Sequence, residues 1–107
     1  MKTQQIHIEL QNLATIEDFH KHLKQKLGFP DFYGANYPAL VDCLSSLRFP
    51  DDQMTTVTLE KEEVLVLEIQ GMSYDKYAIL ELLVFASQAV NERQVSRGDS
   101  PCILFSF

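Results

Sequence analysis

The strongest constraint on the fold of this chain is a nearly continuous apolar run, VLVLEI, at residues 64–69. Such a run, followed closely by Gly71, is typical of a strand that is buried on both faces. Strands of this kind occur in parallel sheets, where helical crossovers join the strands and cover the sheet. We therefore expect helices before and after this run along the chain.

The flanking sequence predicts two more strands and a first helix. Residues 4–10 carry the alternating apolar pattern of a strand, and residues 103–107 form an apolar closing strand. After the first strand, Thr15 and Asp18 have the spacing of a capping box, which indicates a helix start. Gly28 is the expected end of that helix.

A long helix is predicted from Ser73, a favourable N-cap, to about Gln94. Its apolar residues occupy more than one stripe of the helix surface. Either several sides of this helix pack in the core, or part of it forms an interface.

An acidic insert at residues 50–63 contains a segment of β character at residues 55–59. This segment predicts a short edge strand or half of a hairpin near residues 55–69. With 107 residues and 46% hydrophobic content, the chain fits one domain, residues 1–107. The predicted fold class is α/β, with a mostly parallel three-stranded sheet covered by helices.

The segment PDFYGANYPALVDCL, residues 30–44, joins an aromatic loop to a helix start. Pro30 and Gly34 punctuate the loop, and Asn36 is a favourable N-cap. Pro38 is compatible only with the first helical turn. A helix is therefore predicted to begin near Asn36.

Asp42 is predicted to be an isolated carboxylate on the outer face of this helix. At 3.6 residues per turn, Val41 and other apolar residues face the core, and Asp42 lies almost opposite to them. The residues that share its face are small and uncharged: Pro38, Ala39, Ser45 and Ser46. Such a carboxylate can enter a cationic pocket of a partner and be desolvated there. The alternative is an ordinary polar residue on an exposed helix.

The net charge of -6 is concentrated in the middle of the chain. Residues 30–75 hold nine acids against Arg48 and Lys61, which leaves -7 in this segment. Without clustered Lys and Arg, binding to nucleic acid or to an anionic membrane is not expected, and the acidity favours a basic protein partner. Ordinary solubility is the alternative explanation of the charge.

Cysteine and histidine residues give no sign of a disulfide framework or a metal site. Cys43 and Cys102 lie in apolar contexts, so both are expected to be buried, reduced thiols. The histidines are scattered, and His20 and His22 face different sides of a helix. We expect no cofactor and no metal. Because no segment resembles a signal peptide or a membrane span, the expected location is the cytoplasm.

Together these features resemble the barstar family of small intracellular ribonuclease inhibitors. The similarity covers most of the chain, from the first strand to CILFSF at residues 102–107. Its most specific part is an aromatic pair, Gly-x-Asn and, six residues after the Asn, the triplet Asp-Cys-Leu at residues 42–44. The resemblance implies an immunity protein that blocks the active site of a basic ribonuclease toxin and is not an enzyme. The free chain is expected to be a monomer.

The resemblance also implies which residues contact the partner. Asp42 matches the acid that takes the place of a substrate phosphate, and Phe32 stands where a contact tyrosine is familiar. Four positions depart from the family: Pro38 replaces an acid, Val41 and Leu47 replace tryptophans, and Ser87 or Gln88 replaces a second acid. The predicted partner-binding residues are Phe32, Tyr33, Gly34, Asn36, Pro38, Val41, Asp42, Ser45 and Ser46, with Asp31, Asp51 and Asp52 as further acidic contacts.

Two other classes of function stay open at this point. A regulatory module of the same fold would bind a protein that is not a ribonuclease, and it would form a complex without inhibition. An enzyme would need a nucleophile elbow, a phosphate-binding glycine loop or a His-carboxylate pair, and the sequence offers none of these. The inhibitor interpretation requires that Asp42 is neither turned inward nor locked to a lysine or arginine of its own chain.

Overall fold

The computed structural model describes residues 1–107, which form three strands and three α-helices. The elements in chain order are β1 (Thr3–Glu9), α1 (Ile16–Leu27), α2 (Tyr37–Leu44), β2 (Val64–Gln70), α3 (Tyr77–Ser96) and β3 (Ile103–Ser106). Two short 3-10 turns, Pro50–Asp52 and Tyr74–Lys76, precede β2 and α3 respectively.

The three strands form one parallel sheet in the order β1-β2-β3, which confirms the predicted fold class. In the register of the sheet, Leu65 lies beside Gln4 on β1 and beside Ile103 on β3. The apolar run of the sequence is therefore the central strand. It has a hydrogen-bonded neighbour on each side, as parallel pairing through helical crossovers requires.

The helices cover one face of this sheet. Leu65, Leu67 and Ile69 of β2 belong to a core cluster of 22 buried residues that also includes apolar residues from all three helices. On the opposite face, Val66 and Glu68 are only half-buried. The expectation of a strand buried on both faces was therefore wrong. Right-handed crossovers between strands in sequential order place every helix on the same side of the sheet.

The predicted caps of α1 are confirmed. The Thr15 hydroxyl accepts a hydrogen bond from the Asp18 backbone N–H at 3.0 Å, and the Asp18 carboxylate accepts one from the Thr15 N–H at 3.2 Å. Gly28 ends the helix in the left-handed conformation, with φ of 70°. A Cβ atom at this glycine would lie 1.8 Å from the Thr56 hydroxyl oxygen, so only glycine fits here.

The start of the long helix differs from the prediction. Ser73 does not cap α3, because its hydroxyl donates to the Asp75 carboxylate and makes no capping bond to the backbone. The chain first makes the 3-10 turn at Tyr74–Lys76 and then continues as α3. The buried side of α3 includes Leu83 and Val90, whereas the Phe85 side chain is 54% exposed. The apolar excess of this helix is thus only partly buried.

Residues 55–59 do not form the predicted strand or hairpin. They run as a loop that is tied to the end of α1 and to the turn after α2. The Thr56 N–H donates to the Leu27 carbonyl at 3.0 Å, and the Leu59 N–H donates to the Leu47 carbonyl at 2.7 Å. Thr55 and Leu59 are buried, so this segment packs as a loop over the core in spite of its β character.

Arg48 ties this part of the chain to the strands. Its guanidinium donates to the carbonyl oxygens of Glu63 at 3.0 Å, Ser100 at 2.6 Å and Pro101 at 3.1 Å. The two loops that lead into β2 and β3 are thereby joined to the turn after α2. One half-buried cation satisfies three backbone acceptors that have no ladder partner.

Both cysteines are free and buried, as predicted. Burial raises the pKa of the Cys43 thiol to about 11, with a smaller contribution from the negative charge of Asp42. The structure contains no group of three or more side chains arranged to hold a metal ion. None of its helices combines the length and the apolar character that a membrane crossing requires.

Candidate protein-binding site

The loop before α2 is anchored by Tyr33. Its ring packs against Phe29, with ring centroids 4.8 Å apart, and its hydroxyl lies 2.6 Å from His20 Nδ1. Desolvation lowers the pKa of His20 and raises the pKa of Tyr33, so the neutral forms of both groups are favoured in this contact. Tyr33 is half-buried and holds the loop to α1, which leaves little of its side chain for a partner.

Phe32 is the aromatic side chain that this loop presents to solvent. It is 77% exposed, although apolar side chains of this size are normally buried. Gly34 follows in an exposed position, and Ala35 has a positive φ of 52°. The turn therefore brings the chain into α2 with Phe32 outside the core.

Asn36 caps α2 as predicted, because its side-chain oxygen accepts a hydrogen bond from the Ala39 N–H at 2.9 Å. Pro38 lies in the first turn, where a missing N–H does not interrupt the helix. Both residues are exposed. Together they fix the direction of α2 and therefore the position of Asp42 on it.

The side chain of Asp42 points outward and is 61% exposed, but it is not isolated. Arg93 of α3 donates from Nη1 to Asp42 Oδ1 at 3.0 Å and to Ser45 Oγ at 3.2 Å. The prediction of a lone carboxylate on an uncharged surface was therefore wrong. Asp42 meets the requirement of pointing outward, and the strength of this exposed ion pair decides whether Arg93 locks it.

Three of the predicted contact residues are buried. Val41 is 3% exposed, Ser45 6% and Ser46 8%, so they do not form an open surface around Asp42. Helix α2 ends at Leu44 with Ser45 as its C-cap, and contacts with Arg93 of α3 and with Asp52 cover the two serines. The Ser45 hydroxyl donates to the Val41 carbonyl at 2.7 Å, and the Ser46 hydroxyl donates to Asp52 at 2.9 Å.

Two positions where the family resemblance suggested partner contacts are also buried. Leu47 and Ser87 are each 1% exposed, which excludes them from direct contact with a partner. Gln88 is exposed and donates weakly to Glu92 at 3.4 Å. The remaining predicted acids, Asp31 and Asp51, are exposed and stay predictions as contacts.

A hollow of about 660 Å³ lies between α2 and α3 beside Asp42. Its polar lining comes from Asp42, Ser45, Ser46 and Asp52 on one side and from Arg93 and Arg97 of α3 on the other. The Arg97 guanidinium carbon lies 5.2 Å from the centroid of the Phe49 ring, in a cation–π contact. We call this surface the Asp42–Arg93 hollow.

Sequence reasoning missed Arg93 and Arg97. Both are exposed, and Arg97 is the C-cap of α3, four residues after Arg93, so they lie on one side of the end of the helix. Their spacing was a visible signal of a basic patch near the end of α3. The contact between Asp42 and Arg93 spans 51 residues, and only the packing of α2 against α3 brings these side chains together.

A family profile described as "Barstar (barnase inhibitor)" matches residues 3–104. The chain belongs to the barstar family. Over 38 residues the chain is 50% identical to a protein of Bacillus subtilis (strain 168) named "Putative ribonuclease inhibitor YrdF". That similarity covers 36% of this chain and 42% of YrdF, so it spans less than half of either protein.

Proposed function

We propose that this protein is an inhibitor that binds a basic ribonuclease and covers its active site. The family match over residues 3–104 and the likeness to a protein named as a ribonuclease inhibitor support this class of function. The observation that carries the proposal to a particular residue is the outward position of Asp42, whose side chain is 61% exposed. An exposed carboxylate at the matching family position can take the place of a substrate phosphate.

The pairing of Asp42 with Arg93 does not prevent this role. Both side chains are largely exposed, 47% for Arg93 and 61% for Asp42. Ion pairs in such surroundings typically contribute about 0 to 1 kcal/mol. Coupling energies between close charges across an interface are larger, about 1.5 to 7 kcal/mol, a range that was measured on the complex of barstar itself. Cations of a partner can therefore replace Arg93 as the ion-pair partner of Asp42 with a net gain in binding free energy.

Phe32 supplies the apolar part of the proposed contact. It stands on a loop whose position is fixed by the Tyr33–His20 contact at 2.6 Å and by the Asn36 cap. A preorganised loop loses little conformational entropy on binding, and an exposed aromatic ring is suited to stack in a substrate cleft. The proposed inhibitor acts by occupying the cleft, so the enzyme is blocked and not modified.

The test compares wild type with Asp42→Ala against each basic ribonuclease that is encoded in the same genome. Inhibition of RNA cleavage and the dissociation constant are measured at fixed salt. Glu17→Ala is the matched control, because Glu17 is an exposed acid on α1 with 76% of its side chain accessible. We expect Asp42→Ala to weaken inhibition from about 30-fold to several thousand-fold and Glu17→Ala by less than about threefold.

Equal inhibition by wild type and Asp42→Ala would remove Asp42 from the mechanism. A stable complex with a ribonuclease that still cleaves RNA, or with a protein that is not a nuclease, would instead favour a regulatory binding module of the same fold. Leu47 and Ser87 differ from the tryptophan and the acid of the family, and both are buried. These two observations favour this second candidate.

A further inference from the structure

Two arginines lie beside Asp42, on a surface that the sequence predicted to be uncharged. Arg93 and Arg97 extend from α3 into the Asp42–Arg93 hollow. Arg97 is engaged with the ring of Phe49 at 5.2 Å. Arg93 has one anionic partner in the chain, Asp42, at 3.0 Å.

Docking of Asp42 into a cationic pocket would place Arg93 beside the partner's cations. Once Asp42 pairs with those cations, Arg93 loses its anion and lies next to charges of the same sign. Such a juxtaposition opposes binding unless another anion enters the site. Asp52, the other carboxylate of the hollow, already accepts a hydrogen bond from Ser46 at 2.9 Å and forms no ion pair with Arg93.

We propose that Arg93 is a specificity-determining residue, and that the cognate ribonuclease presents a carboxylate to it next to the cation that receives Asp42. This inference rests on the proposed inhibitor function. On binding, two intermolecular ion pairs replace the pair between Asp42 and Arg93. Asp42 pairs with a cation of the ribonuclease, and Arg93 pairs with a carboxylate of the ribonuclease. A ribonuclease whose cleft is cationic without a neighbouring carboxylate is rejected by the positive charge of Arg93.

The geometry favours a carboxylate as the group that Arg93 recognises. A guanidinium binds planar carboxylates through parallel N–H donors, and Arg93 uses only Nη1 for its contacts with Asp42 and Ser45. The hydrogen bond from Nη1 to Ser45 Oγ at 3.2 Å also holds the guanidinium in place when Asp42 changes partner. Arg93 is thus positioned before the partner arrives.

The test measures inhibition of the ribonuclease that wild type inhibits best, using Arg93→Gln, Arg93→Lys and the control Lys21→Gln. Lys21 is an exposed base on α1 that pairs with Glu17 at 3.4 Å, so its loss changes the net charge equally at a distant place. We expect Arg93→Gln to weaken inhibition about tenfold or more, as for loss of one charge-assisted contact, and Lys21→Gln by less than about twofold. Arg93→Lys should retain part of the affinity, since it keeps the charge without the planar donors.

Unchanged or tighter inhibition by Arg93→Gln would overturn this inference, because Arg93 would then only mask Asp42. That result leaves the proposed function intact, since wild type still inhibits. Failure of wild type to inhibit any of the ribonucleases would overturn the proposed function and this inference together. Urea unfolding of each variant confirms that a loss of inhibition does not come from a loss of folding.

Discussion

The ion pair between Asp42 and Arg93 can be measured without any partner, and its strength decides whether Asp42 is available for binding. The pair has an N···O distance of 3.0 Å, but the two side chains are 61% and 47% exposed. Two unit charges 4 Å apart attract by only about 1 kcal/mol in water. Ordering two long side chains offsets part of this attraction. We therefore expect a coupling free energy of about 0.2 to 1 kcal/mol.

The assay is a double-mutant cycle on the free energy of unfolding. Wild type, Asp42→Ala, Arg93→Met and the double variant are unfolded in urea at about 0.15 M salt and again at about 1 M salt. Methionine keeps most of the apolar stem of Arg93, so the cycle isolates the charge contact. The coupling should fall at high salt, because the Debye length shortens from about 8 Å to about 3 Å.

A coupling above about 2 kcal/mol at the lower salt concentration would refute the reasoning, because the general upper range for exposed pairs is about 1 kcal/mol. Asp42 would then be held by its own chain too strongly for a partner to take it over at little cost. The proposed role of Asp42 as a phosphate mimic would be lost, while the assignment to the barstar family would stand on the profile match alone.

Three further predictions concern the scaffold that positions this site. Gly28→Ala should lower the free energy of unfolding by about 2 kcal/mol or more, because its positive φ strains alanine and the added Cβ collides with Thr56. Gly98→Ala, with φ of 84° and open space around it, should lower it only by the backbone strain of about 1 to 2 kcal/mol. Equal losses in urea unfolding would contradict this. Arg48→Met should cost about 2 to 3 kcal/mol because three backbone carbonyls lose their donor, and a loss below about 0.5 kcal/mol would show that water replaces it. Burial lowers the pKa of His20 in the folded state, so its stabilising contribution is complete above the unfolded value of about 6.5 and is lost as the pH falls towards the folded value. As the pH falls through this range, His20 should therefore lower the free energy of unfolding by at most about 1.4 kcal/mol per pH unit. His20→Asn should weaken this pH dependence of the free energy of unfolding, measured in urea between about pH 5 and 8.

The sequence predicted the elements whose signals are local. The caps at Thr15, Gly28 and Asn36 are set by side chains within a few residues, and the structure confirms all three. The parallel sheet was also predicted from a pattern in one short segment, residues 64–69, although Val66 and Glu68 on the second face of this strand are only half-buried. The wrong strand at residues 55–59 shows the limit of propensity, since packing over the core decided its conformation.

The candidate site was harder to predict because its neighbours come from distant parts of the chain. A helical wheel placed Ser45 and Ser46 beside Asp42, and both line the hollow with it, but they are buried by contacts with Arg93 and Asp52. No periodicity could relate Asp42 to Arg93, because the angle and register between α2 and α3 are set by the whole core. The prediction of an isolated carboxylate was wrong because a helical wheel relates residues within one helix and says nothing about contacts between helices.

Contacts with bases outside residues 30–75 also reduce the effective negative charge of this segment. Counted along the sequence, residues 30–75 carry -7. In the structure, three of these acids lie beside bases from outside the segment: Asp42 beside Arg93 at 3.0 Å, Glu60 beside Lys2 at 2.7 Å and Asp75 beside Lys76 at 3.4 Å. The field that would attract a basic partner is therefore weaker than the segment charge indicates, and it falls off further within a Debye length. Attraction at long range then depends on the unpaired acids, whereas recognition in the proposed complex depends on the exchange of partners at Asp42 and Arg93.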